Sequence, residues 1–167
     1  MSNQARQTRP IPQGYRTVTP YLTLNDAARA LEFYKRAFGA QEVMRMDGPG
    51  GKIGHAEIKI GDSMVMLADE MPGSGSRPPQ SLGGTTGGIF LYVENADAVF
   101  NQAVSAGAQV EAPLADMFWG DRYGRLKDPF GHSWSVATHK EDVAPAEMSK
   151  RMQEAIAKMG QQTKSAH

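Results

Sequence analysis

The pattern of apolar and polar positions starts at Arg16 and predicts a half-buried strand through Leu24, because the two kinds of residue alternate with a period of two. Pro20 lies inside this strand and has no N–H to donate, so we expect an edge strand or a bulge there. An Asn-Asp pair then caps a helix that ends at Gly39. The apolar residues of this helix share one face, namely Ala27, Leu31, Tyr34 and Phe38.

Three more strands are predicted, over Gln41–Met46, Ile53–Ile60 and Ser63–Ala68. The stretch from residue 71 to residue 86 is rich in Pro, Gly and Ser. Loops longer than roughly 12–15 residues are uncommon unless they are functional or disordered. This stretch is therefore either a linker or a flap over a pocket.

The pattern then repeats, since LTLNDAARALEFYKRAFGAQEV resembles LYVENADAVFNQAVSAGAQVE at an offset of roughly 68–69 residues. Each segment predicts a strand, an Asx cap, an amphipathic helix and a new strand in the same order. Later strands are expected near Gln109–Glu111, Asp121–Lys127 and His132–Thr138, with an irregular loop around residues 113–120. A repeat of this length favours two copies of one βαβββ unit over a solenoid. Beyond them, a C-terminal helix that caps its own domain or docks on a partner subunit is predicted by Met148, Met152, Ile156 and Met159.

Composition narrows the class of protein. The chain has 167 residues, with 18 Lys and Arg, 18 Asp and Glu, four His and no Cys. The lack of Cys excludes disulfides, thiolate nucleophiles and Cys-ligated metal, and the balanced charge gives no electrostatic reason to expect nucleic acid or a membrane as partner. No apolar run approaches the roughly 20 residues of a membrane span, and the polar N-terminus shows no secretory signal, so we expect a cytoplasmic protein.

Strand parity separates two sets of side chains. The apolar set is expected to pack on the helices and comprises Val18, Leu22, Ala56, Ile58, Ile60, Val65, Leu67, Ile89, Leu91 and Val93. The opposite faces combine aromatic, Met and charged side chains, and this mixture fits a small organic ligand with an anionic or carbonyl group. The expected ligand contacts are Tyr21, Met66, Phe90, Tyr92, Trp119, Arg122, Tyr123 and Arg125.

A role can be predicted for two of the four His, namely His55 and His132. His55 and Glu57 are expected on the same face of one strand. They would then be a general acid/base pair, two ligands of an unconventional metal site, or a polar pair at the rim of the cup or in solvent. His132 follows a turn and is expected to hold it by a hydrogen bond. His139 and His167 lie toward the tail, and we expect no role for them.

The segment 119–125 concentrates aromatic and Arg residues, which is typical of a surface that faces a ligand or a subunit. The alternative is structural. In that case Arg122 pairs with Asp121 or Asp128 and holds the turn, and Trp119 serves as packing.

The segments NDAARALEFYKRAFGA and FWGDRYGRLKDPFGHSW resemble the glyoxalase, bleomycin-resistance and dihydroxybiphenyl-dioxygenase superfamily, also called vicinal oxygen chelate proteins. The stretch WGDRYGR-x-x-DPFGH-x-W resembles its PhnB-like branch. The resemblance covers about residues 16–138 and implies an α+β fold in which two βαβββ modules form a cupped mixed sheet, followed by a C-terminal helix. The implied organisation is a mobile N-terminal arm (1–15), a glyoxalase-like domain (16–140, with module one 16–70, linker 71–86 and module two 87–140), and a C-terminal helix and tail (141–167).

The resemblance also implies where a metal ion would bind, because metal enzymes of this superfamily use one His, Glu or Gln on each of four strands. Carried over to this chain, those positions are Thr19, Met66, Gly88 and Ser135. These side chains are weak or unsuitable ligands for the ions that polarise an enediolate. We therefore expect no metal cofactor, or a divalent metal at a non-standard site.

Two functions follow as expectations. The first is a glyoxalase/bleomycin-resistance-like protein that binds a small organic ligand, aromatic or anionic, in its cup without the usual metal site. Bleomycin-resistance-type members likewise lack a complete ligand set. The second is a glyoxalase-class lyase or isomerase acting on an α-oxo compound through a non-standard metal or through His55 and Glu57. A methyltransferase is disfavoured, since no Gly-rich nucleotide loop is followed by an acidic residue at Rossmann spacing. The superfamily resemblance also implies a homodimer.

Overall fold

The computed structural model describes residues 9–164, with side chains described through Met159. Residues 1–8 of the expected N-terminal arm lie outside this range, and His167 lies outside it as well. The described chain divides between Thr85 and Thr86 into two compact units, called unit 1 and unit 2 in chain order.

Unit 1 contains one four-stranded sheet in the order β1-β4-β3-β2. Strand β1 pairs in parallel with β4, while the other neighbours are antiparallel. Strand β1 lies at the edge, as Pro20 predicts. The elements are β1 (Tyr21–Leu24), α1 (Ala27–Phe38), β2 (Gln41–Asp47), β3 (Ile53–Ile60), β4 (Ser63–Asp69) and a short helix α2 (Pro79–Leu82).

Unit 2 repeats the arrangement, with the strand order β5-β8-β7-β6 and the same parallel pairing of its first and last strands. The predicted repeat of two βαβββ modules is therefore confirmed, and so is the α+β fold with a C-terminal helix. The elements are β5 (Gly88–Tyr92), α3 (Ala96–Ala106), β6 (Gln109–Asp116), β7 (Asp121–Lys127), β8 (Ser133–His139) and α4 (Pro145–Lys164).

Some details of the sequence-based prediction are wrong. Val18 is 83% exposed instead of packed against a helix, because β1 begins only after Pro20. Strand β6 extends to Asp116, through the first part of the irregular loop expected around residues 113–120, and its two register shifts against β7 accommodate the extra residues. Ile89 and Leu91 on β5 are half-buried instead of buried.

The predicted helix caps are present. The Asp26 side chain accepts a hydrogen bond from the backbone N–H of Arg29, and Asn95 caps α3 in the same way. Gly39 ends α1 with a left-handed backbone (φ 64°), which a residue without a Cβ adopts at little cost. The buried face of α1 is wider than predicted and consists of Ala27, Ala30, Leu31, Phe33, Tyr34 and Ala37.

Each unit ties the start of its first helix to its last strand. In unit 1, Asp69 accepts from the N–H of Ala27 (2.8 Å) and, with its other oxygen, from the N–H of Ile53 (2.7 Å). In unit 2, the Thr138 hydroxyl accepts from the N–H of Ala96 at 2.8 Å and donates to a backbone carbonyl at 2.8 Å. Asp69 and Thr138 occupy equivalent positions of the repeat, so two different side chains satisfy the same orphan helix donor.

The motif that carries the family resemblance in unit 2 has a structural explanation. The buried Asp128 accepts from the backbone N–H groups of Phe130 and His132 and from the indole N–H of Trp134, each at 2.9 Å. Gly124 allows Phe100 of α3 to approach the sheet, because a Cβ at this position would lie 2.5 Å from the Phe100 ring. The turn and the helix packing therefore account for these residues without a ligand.

No helix within residues 9–164 is long and apolar enough to cross a membrane.

Replacing Asp69 with Asn is expected to lower the free energy of unfolding by about 2 kcal/mol, because an amide accepts one of the two N–H groups and leaves the other buried and unpaired. Urea unfolding measures this change. Thr138→Val tests the equivalent tether in unit 2, and Asp62→Asn in an exposed turn is the control. Unchanged unfolding of the Asp69 variant would show that the tether contributes little to stability.

Candidate functional site

A pocket of about 520 Å³ lies on the face of the unit 1 sheet that α1 does not cover. The sheet contributes Glu57 from β3 and Met66 from β4, which are neighbours in the strand register. The segment that precedes β1 forms the remaining wall. That wall consists of Pro10, Ile11, Pro12, Tyr15, Arg16, Thr17 and Thr19.

Tyr15 is the most unusual group in this pocket. Its hydroxyl oxygen is buried and forms no hydrogen bond of good geometry with the residues described. Burial raises the pKa of Tyr15 to about 12, and a loose hydrogen-bond contact with the Glu57 carboxylate and the charge of that carboxylate contribute to the rise. The phenol is therefore neutral at physiological pH and keeps its proton.

A chain of polar side chains leads to Glu57. The Tyr21 hydroxyl lies 3.2 Å from His55 Nδ1, and His55 Nε2 lies 3.3 Å from Glu57 Oε1. An ionised carboxylate only accepts, so Nε2 carries the proton that it shares with Glu57. In the neutral imidazole Nδ1 then accepts from the Tyr21 O–H, which gives the chain a direction toward Glu57.

Asp121 organises the face of the unit 2 sheet that α3 does not cover. It is only 3% exposed and accepts from the Tyr92 hydroxyl (2.9 Å) and the Trp119 indole N–H (3.0 Å), while His139 Nδ1 lies 2.8 Å from its other oxygen. Burial alone raises the pKa of Asp121, but the hydrogen bonds from His139, Tyr92 and Trp119 outweigh it and leave the pKa below its usual value. The other ring nitrogen of His139 lies 2.9 Å from Asp142.

Aromatic rings are concentrated around this carboxylate. Phe90 stacks on Tyr123 with ring centroids 5.7 Å apart, and Trp119 meets Tyr123 edge-on at 5.6 Å. Phe90 and Tyr92 are 47% and 64% exposed, so much of their surface is open to contact. The Tyr123 hydroxyl lies 3.2 Å from the Ser135 hydroxyl.

The two Arg residues of this segment are engaged in ion pairs. Arg122 lies on the opposite face of β7 from the aromatic rings. It forms structural ion pairs there, as the alternative prediction held, but its partners are Asp97 (2.8 Å) and Asp116 (3.5 Å) instead of Asp121 or Asp128. The bidentate hydrogen bond to Asp97 raises the pKa of Arg122. Arg125 pairs with Glu111 at 3.2 Å.

The positions that the family resemblance assigns to metal ligands do not form a suitable donor set. Thr19 and Met66 line the pocket of unit 1, Gly88 has no side chain, and the Ser135 hydroxyl lies against Tyr123. A thioether and two neutral hydroxyls are poor ligands for zinc, nickel or iron(II). Among the side chains of residues 9–159, no group of three or more His, Asp or Glu is placed to hold a metal ion.

The sequence did not predict the pocket wall that precedes β1, which includes Tyr15, nor did it predict His139. Tyr15 belongs to the expected N-terminal arm, where no periodicity marks it. His139 was expected to have no role, yet it lies directly opposite Asp121 in the β7–β8 register. Extending the predicted last strand by one residue would have placed His139 there.

Comparisons with known proteins agree with the fold. A family model described as Glyoxalase/Bleomycin resistance protein/Dioxygenase superfamily matches residues 17–136. An uncharacterized protein of Mycobacterium tuberculosis is 45% identical over 138 residues, which cover 81% of this chain and 81% of that protein.

Solved structures show the same similarity. TioX from Micromonospora sp. ML1 is 30% identical with a TM-score of 0.59, over 73% of this chain and 97% of TioX. A PhnB protein from Bacillus cereus, described as a putative 3-demethylubiquinone-9 3-methyltransferase, is 20% identical with a TM-score of 0.55, over 74% of this chain and 99% of that one. At this lower identity the likeness shows the fold alone.

The His139–Asp121 contact predicts a pH dependence of stability. Hydrogen bonds to Asp121 and Asp142 raise the pKa of His139 in the folded protein. The stability that protonated His139 gives to the folded protein is therefore fully present below the ordinary His pKa of about 6.5. It is lost as the pH rises through the raised pKa of His139. The difference in urea midpoint between wild type and His139→Gln should shrink above pH 6.5. A difference that stays constant with pH would contradict this assignment.

Proposed function

Because the chain belongs to the glyoxalase/bleomycin resistance protein/dioxygenase superfamily, we propose that it binds a small organic molecule in the pocket of unit 1, without a metal ion at the ligand positions of the superfamily.

The observation that carries the proposal is the pocket itself. Its volume of about 520 Å³ falls within the range of small-molecule sites, and its walls combine apolar side chains with a few polar groups, as such sites do. Thr19 and Met66 line it, so two positions that would hold a metal in related enzymes offer packing surface here. A ligand in this pocket replaces metal coordination by apolar contact and by hydrogen bonds to Glu57 and Tyr15.

The uncovered face of unit 2 supplies a second surface for the same class of ligand. The exposed rings of Phe90 and Tyr92, backed by Tyr123 and Trp119, offer aromatic stacking. Arg125 also lies on this face and is half-exposed, so an anionic group that competes with its partner Glu111 would find a cation there. We do not extend the proposal to Arg122, because its guanidinium is used by Asp97 on the other face.

We also propose that the protein acts as a homodimer. Helix α4 carries the exposed apolar residues Met152, Ile156 and Met159, which a second copy would cover. Light scattering tests this, and a mass of one chain at micromolar concentration would refute it.

A second candidate function is acid–base catalysis on an α-oxo compound, as in a lyase or isomerase of the glyoxalase class. The directed chain from Tyr21 through His55 to Glu57 favours it, because Glu57 lines the pocket and the His55 imidazole beside it can exchange a proton with that carboxylate. The binding function does not depend on this second candidate.

Binding is tested with a library of small aromatic compounds and the methyl resonance of Met66. A bound compound should shift this resonance, and at 100 times its dissociation constant it should add about 2.7 kcal/mol of stability. Thr19→Trp fills the pocket and should abolish both effects. Val18→Trp, one residue away and outside the pocket lining, is the matched control and should leave them intact.

If no compound shifts Met66, or if Thr19→Trp leaves binding unchanged, the proposed site is wrong.

The catalytic candidate is tested by assaying formation of lactoylglutathione together with elemental analysis of the purified protein. Any turnover should fall by roughly 10²–10⁴-fold in the double variant His55→Gln, Glu57→Gln, because general acid–base groups contribute about that much. Turnover that survives in this variant would exclude the pair as catalytic groups. Stoichiometric nickel, zinc, iron or manganese would instead contradict the metal-free proposal.

A further inference from the structure

We propose that the pocket of unit 1 selects ligands that carry a protonated amine, held between the Glu57 carboxylate and the Tyr15 hydroxyl. The inference rests on the proposed function, since it names the chemical class that the pocket binds. It also assigns Tyr15, from the segment before β1, as a ligand contact.

No permanent cation of the described residues balances the charge of Glu57 within salt-bridge distance. Its side chain is only 16% exposed, and among the described residues the one basic group within salt-bridge distance is His55, at 3.3 Å. His55 is a neutral partner unless it is protonated. A partly buried carboxylate without a permanent cation is costly, and a cationic ligand removes that cost.

The hydroxyl of Tyr15 has hydrogen-bonding capacity that the described residues do not fill with good geometry. Its oxygen is buried without a well-formed hydrogen bond, and a buried polar atom of this kind calls for an explanation. The phenol has no positively charged form, so it cannot balance the charge of Glu57, and its raised pKa of about 12 keeps it neutral beside that carboxylate. An ammonium group has three donors and no acceptor, so it can donate to Glu57 and to the Tyr15 oxygen at once.

The other pocket walls fit the remainder of such a ligand. Ile11, Pro12 and Met66 offer apolar surface for a hydrocarbon or aromatic body. The Tyr15 ring adds a π face, which attracts cations. Arg16 also lines the pocket, but it is exposed, so its charge stays hydrated and acts weakly on a ligand at Glu57.

The experiment uses three probes with the same aromatic body and different head groups, namely 2-phenylethylamine, 2-phenylethanol and 3-phenylpropanoate. Their affinities for the full-length protein are measured by calorimetry, and the Met66 methyl resonance shows whether they occupy the pocket. The amine is expected to bind roughly tenfold tighter than the alcohol, which corresponds to one charge-assisted hydrogen bond. The carboxylate is expected to bind most weakly.

Two conservative variants identify the groups responsible. Glu57→Gln keeps the shape and one acceptor but removes the charge, so the amine should fall to the affinity of the alcohol while the alcohol is unaffected. Tyr15→Phe removes only the hydroxyl and should weaken the amine several-fold. Retained binding of the alcohol shows that both variants are folded, and Glu154→Gln on α4 is the control for loss of a remote charge.

The outcomes separate this inference from the proposed function. Equal binding of all three probes at Met66, tighter binding of the carboxylate, or an amine preference that survives Glu57→Gln would overturn the amine inference and leave the pocket as a binding site. If none of the probes binds while other aromatic compounds shift Met66, the inference also falls alone. If the whole aromatic library is silent as well, both proposals fall.

Discussion

The structure of each unit depends on one constraint, the need to satisfy the free N–H groups at the start of a helix that packs on a sheet. Unit 1 meets it with the buried Asp69 carboxylate, which also holds the start of β3. Unit 2 meets it with the Thr138 hydroxyl, which also bonds to Val93 just beyond β5. In both units one side chain of the last strand binds the start of the helix, so the last element of each βαβββ module is joined to the second one. The faces that the helices leave uncovered are then free to carry the aromatic and charged groups of the candidate sites.

Much of the fold was predictable because it rests on local signals. Alternation predicted the strands, Asx and Gly residues predicted the helix ends, and the repeat predicted the equivalent sheets. Errors arose where a single residue changes the pairing. Pro20 delays the start of β1 and leaves Val18 in solvent, and the register shifts of β6 hide a long strand from a period-two pattern.

The candidate sites were predictable only in part. Strand parity placed His55 and Glu57 on one face, and the structure brings them within 3.3 Å. Parity within a strand also places Arg122 apart from Tyr123, although both lie in the same short motif. The partners of Arg122 come from α3 and β6, and such long-range pairing is not encoded in any local pattern. Tyr15 escaped notice for a related reason, since a segment without periodicity gives no indication of which side chains it buries.

The position of the pocket wall has an evolutionary consequence. Pro10, Ile11, Pro12, Tyr15 and Arg16 all precede residue 17, where the match to the superfamily model begins. Substitutions, insertions or deletions in that segment reshape the pocket without disturbing a helix cap, a strand register or the buried faces of the modules. The shape of the pocket and the stability of the scaffold are therefore set by different parts of the chain, and a change in the segment before residue 17 alters the first without the second.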